Sequence, residues 1–219
     1  MNKIKDFGNN RKEINVRGEK PMEIKTFSFN SLNDYSSEGI ADALKDCNYN
    51  NKKPLFICIG SDLVLGDSLG PLVGTLLKKR NINSYVYGTL NFPITAKEVE
   101  YARTYLKEMH PNSVSIAIDA AVGNEDDVGL IRVVNKGLKP GLAVEKNLGV
   151  VGDISIIGVV ASKSNKNFNL FNLTRLNLIY KMAEIITEGI EKYINHFSKT
   201  TDYFSSAIQN SSVKISKIV

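Results

Sequence analysis

Residues 54–77 read PLFICIGSDLVLGDSLGPLVGTLL and carry the clearest structural pattern in the chain. The continuous apolar run Leu55–Ile59 ends at Gly60, which is typical of a strand buried on both faces of a parallel sheet. A helical stripe of apolar residues follows at Leu69, Leu72, Val73, Leu76 and Leu77. A strand, a glycine-rich loop and a helix in this order predict the first unit of an α/β domain.

The rest of the chain repeats this alternation. Further strands are predicted at 84–90, 114–118, 130–134 and 154–160, with a short edge strand within 22–29. Helices are predicted at 36–47, from a capping box formed by Thr95 and Glu98 to Met109, and from Leu176 to Tyr193. Because right-handed crossovers place helices on both faces of such a sheet, the sequence predicts a three-layer α/β/α fold with a mainly parallel central sheet.

The chain length of 219 residues fits a single α/β domain. We expect this domain to span residues 21–196, with its motif-bearing core at 54–195. Residues 1–20 are polar and aperiodic and predict a flexible tail, and residues 197–219 predict a second, C-terminal tail.

Composition argues against several classes of partner. The 28 Lys and Arg residues exceed the 23 Asp and Glu residues and give a net charge of +5, but residues 54–195 are nearly neutral, so no direct binding to nucleic acid is expected. Two cysteines cannot form a disulfide scaffold. The N-terminus is too polar for a signal peptide and no apolar run approaches a membrane span, which predicts a cytoplasmic protein without a membrane partner.

The glycine-rich loop after the first buried strand offers carboxylates rather than a phosphate site. It lacks both the Gly-Lys-Ser/Thr ending of a P-loop and the GxGxxG spacing of a dinucleotide fold. It does contain Asp62 and Asp67, and Asp119 ends the third predicted strand. If the parallel strands follow the order 2-1-3, Asp67 and Asp119 face one another at the carboxyl edge of the sheet, where such folds place their functional crevice.

Two close carboxyl groups favour acid–base catalysis, because like charges at short range cannot both ionise easily. They equally suit two ligands of a metal site. Taken singly, Asp67 also fits a helix N-cap, Asp119 a solvated strand end and Asp62 a turn. A Cys-His or Ser-His-Asp arrangement has no suitable base, since His110 precedes the third strand and belongs to the opposite edge.

Four further residues are candidates for contacts with a substrate. Ser68 and Gly70 lie at the predicted helix start, where backbone N–H groups stabilise an oxyanion. Lys146 and Asp153 lie in loops expected near the crevice, and a structural or solvated role is the alternative for each.

Three segments together resemble the sporulation protein YyaC family, often labelled a spore protease. They are residues 58–74, 116–120 and 151–158, and the resemblance runs in unbroken order through residues 54–195. It implies the phosphorylase/hydrolase-like α/β fold that the spore germination protease shares with the hydrogenase maturation endopeptidases.

The germination protease resembles an unusual aspartic-type peptidase with key aspartates in Asp-Ala-Leu-Gly-Pro and Ile-Asp-Ala motifs. The matching positions here are Asp67 in Asp-Ser-Leu-Gly-Pro and Asp119 in Ile-Asp-Ala. The resemblance therefore implies that both are catalytic in a sporulation-associated peptidase. It also implies a protein substrate, such as the small acid-soluble spore proteins, in the cytoplasm of the forespore or mother cell.

The maturation endopeptidases hold nickel with acids at these two positions and a histidine. This chain has no histidine between Pro111 and Asn195, so neither a metal nor another cofactor is expected. Two alternatives to the aspartate peptidase remain, namely a non-catalytic sporulation binding protein on a peptidase scaffold and a metal-dependent maturation peptidase.

Overall fold

The computed structural model describes residues 23–140, 149–163 and 174–215, with side chains through residue 198. Its strands are β1 (Thr26–Asn30), β2 (Lys53–Cys58), β3 (Tyr85–Tyr87), β4 (Ser113–Gly123), β5 (Leu130–Val134) and β6 (Ile154–Ser162). Its α-helices are α1 (Ser36–Cys47), α2 (Leu69–Lys79), α3 (Val99–Met109) and α4 (Leu176–Ile215). Two short 3₁₀ helices cover Leu65–Ser68 and Glu125–Asp127.

The six strands form one sheet in the order β1-β5-β6-β4-β2-β3. Strand β2 pairs in parallel with β3 and β4, and β4 pairs in parallel with β6. Strand β5 is antiparallel to both of its neighbours, β1 and β6. The predicted mainly parallel sheet and the edge strand near the N-terminus are confirmed. The first three parallel strands have the 2-1-3 order, which is the condition for Asp67 and Asp119 to share one edge.

Alternating side chains along the central strands serve two layers of helices. One face packs with α1, α2 and α4 around buried Phe56, Cys58, Ile116 and Ile118. The other face packs Leu55, Ile57 and Ala117 against Val99 and Leu106 of α3. The three-layer α/β/α architecture predicted from the sequence is therefore confirmed, because strands buried on both faces need a helical layer on each.

Two glycines let the chain fold back tightly after β2. A Cβ atom on Gly70, in the first turn of α2, would lie 2.0 Å from the carbonyl oxygen of Ile59. Gly60 has a φ of +138°, and a Cβ there would lie 2.0 Å from the carbonyl oxygen of Asp67. Glycine tolerates this conformation and this close approach, so the loop between β2 and α2 is held directly against the end of the strand.

Two elements run further than their sequence patterns predict. Strand β4 does not end at Asp119 but continues to Gly123, because its last residues pair with β6 as far as Ser162. Helix α4 extends to Ile215, through part of the segment predicted as a tail, and no glycine or proline after Gly189 interrupts it. The tail predicted at residues 1–20 lies outside the described residues.

The predicted capping box precedes α3. The carboxylate of Glu98 accepts the backbone N–H of Thr95 at 3.0 Å and also its hydroxyl.

In the described part of the chain, no helix combines the length and the hydropathy that crossing a membrane requires.

Candidate functional site

Asp67 and Asp119 occupy the carboxyl edge of the sheet, on neighbouring segments. Strands β2 and β4 pair at Cys58 and Ile118, one residue before Asp119. Asp67 lies in the 3₁₀ turn Leu65–Ser68, which the loop after β2 carries back over the same edge. Both side chains are partly buried, and the charge of Asp67 acts on Asp119. The structure therefore brings these two predicted residues into electrostatic reach of each other.

Backbone hydrogen bonds fix the turn that holds Asp67. The N–H of Ser61 donates to the carbonyl oxygen of Asp67 at 3.0 Å, and the N–H of Asp67 donates to Val64 at 2.9 Å. The Ser68 hydroxyl donates to the carbonyl oxygen of Leu65 at 2.6 Å. Ser68 is the residue that precedes α2, without a side-chain capping bond, so Asp67 is not the N-cap of that helix. The carboxylate of Asp67 is therefore not used in capping α2.

The electrostatic environment raises the pKa of both carboxyl groups, but from partly different causes. Burial raises the pKa of Asp67 to about 6, although the backbone N–H of Ser61 works in the opposite direction. Burial and the charge of Asp67 raise the pKa of Asp119 well above its usual range, against the N–H of Ala120, which donates to Asp119 Oδ1 at 2.8 Å. Asp67 is therefore the acid that ionises first, and Asp119 keeps its proton to higher pH than an ordinary aspartate does.

Arg132 is a residue of this region that the sequence analysis missed. In the register of the sheet Asp119 pairs with Ile157, and Ile157 pairs with Arg132 on β5. The guanidinium Nη2 lies 2.6 Å from Oδ1 of Asp127. The available signal was the single cation in the otherwise apolar strand Leu130–Val134.

The other four predicted contact residues are placed differently from one another. Ser68 and Gly70 adjoin Asp67 in the chain and are buried, and their backbone role toward a substrate stays a prediction. Asp153 precedes β6 and therefore lies at the amino edge, where it accepts the backbone N–H of Ser115 at 2.9 Å and its hydroxyl at 2.8 Å. The structure does not bring Asp153 to the aspartate pair. Lys146 lies outside the described residues.

Asp62, His110 and Cys58 have structural rather than catalytic surroundings. Asp62 is exposed in a turn. His110 lies at the edge opposite Asp119, with its Nε2 atom 2.8 Å from the Tyr87 hydroxyl. Cys58 is fully buried, and burial raises the pKa of its thiol, so it is a poor nucleophile.

The described residues contain no cluster of three or more His, Cys, Asp or Glu side chains that would hold a metal ion. Within that part of the chain, Asp67 and Asp119 therefore offer two carboxylates without the further protein ligand that a nickel site of the maturation type uses.

A separate cleft of about 830 Å³ opens at the amino edge, lined among others by Arg103, His110, Ser115 and Asp153. Its lining includes neither Asp67 nor Asp119. The cleft is therefore distinct from the aspartate pair at the carboxyl edge.

Comparisons with known proteins agree with the resemblance noted in the sequence. The chain is 39% identical over 140 residues to the Uncharacterized protein YyaC of Bacillus subtilis (strain 168), which covers 63% of this chain and 68% of that protein. A profile of the family described as "Protein of unknown function (DUF1256)" matches residues 28–189, a range that contains both aspartates, strands β2 to β6 and most of β1. The chain belongs to this family.

Proposed function

We propose that the protein is a sporulation-associated peptidase that hydrolyses peptide bonds with Asp67 and Asp119. The observation that carries the proposal is the coupling of two partly buried carboxyl groups at the carboxyl edge of the sheet, both with raised pKa values. Perturbed and unequal pKa values of neighbouring acids are typical of acid–base catalytic sites. The similarity of their two motifs to those of the germination protease supports the same role.

The unequal pKa values assign a role to each acid. The ionised carboxylate of Asp67 takes a proton from a water molecule, whose oxygen bonds to the scissile carbonyl carbon. The protonated carboxyl of Asp119 donates a hydrogen bond to the carbonyl oxygen. When the C–N bond breaks, Asp119 gives its proton to the leaving amine. The proton that Asp67 gained from water then passes to Asp119, which restores the starting state.

The turn before α2 supports this chemistry in a second way. The backbone N–H groups of Ser68 to Gly70 are the nearest candidates for stabilising the oxyanion, because they follow Asp67 directly in the chain. We propose a protein substrate in the cytoplasm of the forespore or mother cell. The small acid-soluble spore proteins are the first to test, since they are the substrates of the germination protease.

The test is incubation of the purified full-length protein with small acid-soluble spore proteins, with cuts mapped by mass spectrometry. We expect Asp67→Asn and Asp119→Asn each to lower the rate by at least about a hundredfold. Asp62→Asn, an exposed acid of the same loop, is the matched control and retains the wild-type rate.

A non-catalytic binding protein predicts a different result. Both asparagine variants would then support spore formation as well as the wild type in cells that lack the native gene, and no cut would depend on either aspartate. That pair of results would reject the proposed function.

A further inference from the structure

Arg132 shares a sheet face with Asp119. In β5, Ile131 and Val133 are fully buried on the face that packs with α1, α2 and α4, so Arg132 lies on the opposite face. Arg132, Ile157 and Asp119 form a row across β5, β6 and β4. With neighbouring strands about 4.8 Å apart, roughly 10 Å separate the two ends of the row.

The row has a defined chemical character. Asp119, at one end, is a partly buried carboxyl group with a raised pKa. Ile157, in the middle, is partly buried and packs against the core cluster that includes Ile57 and Ala117. Arg132, at the other end, contributes a guanidinium that contacts Asp127 and is separated from Asp119 by the whole of β6.

Asp127 holds the guanidinium in place without using all of its donors. The contact joins one nitrogen to one oxygen at 2.6 Å, and the Arg132 side chain remains 35% exposed. A guanidinium has five N–H donors in a planar fork, so a single contact of this kind leaves capacity for a second acceptor. Asp127 itself is fixed beside the end of β4, where a Cβ on Gly123 would lie 3.2 Å from its own Cβ.

We infer that Arg132 is a specificity-determining residue that binds a carboxylate of the substrate. The carboxylate is either an acidic side chain or the free C-terminus of the peptide, because both offer the two oxygens that a guanidinium binds in bidentate fashion. An extended peptide advances about 3.3 Å per residue, so roughly three residues separate this carboxylate from the bond that is cleaved. The inference rests on the proposed function, since that function places the cleaved bond at Asp119.

The enzyme first digests a mixture of peptides derived from a proteome, and the cleavage sites are mapped. Two pairs of peptides are then built on these sites. The members of one pair differ by Glu or Gln at the third residue from the cleaved bond, tested on each side, and the members of the other pair differ by a free or an amidated C-terminus. We expect kcat/KM to favour the carboxylate member of one pair by about tenfold or more. Which pair shows the preference identifies the source of the carboxylate.

Variants assign the preference to Arg132. In Arg132→Gln the ratio falls to near one, and in Arg132→Glu a lysine peptide replaces the glutamate peptide as the better substrate. The control is Arg80→Gln, because Arg80 also forms a 2.7 Å pair with an acid, Glu191, and is equally exposed at 35%, but sits between α2 and α4. This control keeps the wild-type ratio. Arg132→Lys, which keeps the charge and loses the fork, serves if the glutamine variant does not fold, with a ratio between the two.

The outcomes separate the inference from the proposed function. An unchanged ratio in Arg132→Gln, with cleavage still abolished by Asp67→Asn, overturns the inference alone. A lost ratio with normal cleavage by Asp67→Asn and Asp119→Asn overturns the proposed function alone. If the wild type cleaves no peptide, fluorescence anisotropy replaces the rate, with labelled hexapeptides that end in Glu amide, in Gln amide or in Gln with a free C-terminus. If the wild type binds all three equally, or if Arg132→Gln keeps the wild-type preference, the inference is overturned.

Discussion

The charge of Asp67 raises the pKa of Asp119, although the two residues lie 52 positions apart in the sequence. The relationship exists because β2 and β4 are parallel neighbours, and because the loop after β2 returns over the carboxyl edge that both strands share. Because two neighbouring carboxylates repel each other, the pair keeps one shared proton more readily than it ionises fully. This property can be measured in the pH dependence of the peptidase rate and of the free energy of unfolding.

The peptidase rate should depend on pH with a rising and a falling limb. The value of kcat/KM increases as pH rises through about 6, where Asp67 loses its proton. It decreases at higher pH, where Asp119 ionises, because its pKa is also raised. The measurement is kcat/KM from pH 4 to pH 10 with one peptide substrate. A rate independent of pH between 4 and 7 would contradict the assignment of Asp67 as the base.

Asp67→Asn should stabilise the folded protein at pH 8 while it removes activity. The pKa of Asp67 is about 6 in the folded protein against an ordinary 3.8, so the folded state binds more protons than the unfolded state between these values. Stability therefore falls as pH rises from about 3.8 to 6, and stays lower above that range. We expect a gain of about 1–2 kcal/mol in the free energy of unfolding at pH 8, because the partly buried carboxylate no longer ionises.

Urea unfolding at pH 3.5 and pH 8 checks this expectation, with Asp62→Asn as the exposed control. The stabilisation should largely disappear at pH 3.5, where the wild-type carboxyl is mostly protonated in both states. Equal stability of variant and wild type at pH 8 would show that the environment of Asp67 is more solvated than its burial indicates.

Gly70→Ala should destabilise the protein by about 2–4 kcal/mol and displace the turn that carries Asp67. The added Cβ would lie 2.0 Å from the carbonyl oxygen of Ile59, and backbone on both sides leaves little room to move. Thermal unfolding measures the loss. Lys78→Ala, exposed on the same helix, should change stability by less than about 0.5 kcal/mol. Equal melting temperatures for the two variants would contradict the close approach.

Asp153→Asn should affect folding rather than substrate recognition. Its carboxylate accepts two hydrogen bonds from Ser115 at the edge opposite the aspartate pair. We expect a loss of about 1–2 kcal/mol in stability with an unchanged KM for peptides. A raised KM with unchanged stability would instead support the substrate contact that the sequence predicts.

The sequence predicted those parts of the site that depend on local pattern and strand direction. The apolar run ending at Ile59 and the third strand containing Asp119 were enough to place Asp67 and Asp119 at one edge. The direction of a strand also assigns Asp153 to the amino edge, since it precedes β6. The expectation that Asp153 lies near the crevice rests on its position in a loop, and a loop pattern does not show which edge of the sheet the loop adjoins.

Arg132 could not be placed from sequence for a different reason. Strand β5 follows β4 in the chain, yet it pairs with β6 and β1 and runs antiparallel to both. This pairing joins segments distant in sequence, and no periodicity reports it. The length of β4 was missed for the same reason, because its residues after Asp119 are held by their partners on β6.

The tight return of the chain after β2 also limits what evolution can change here. A side chain at position 60 or 70 would collide with the backbone of Asp67 or Ile59, so any relative that keeps this turn must keep glycine at both positions, whatever it acts on. Substrate preference is freer to drift at positions such as Arg132, whose side chain is 35% exposed. The two kinds of position should therefore diverge at very different rates among homologous chains.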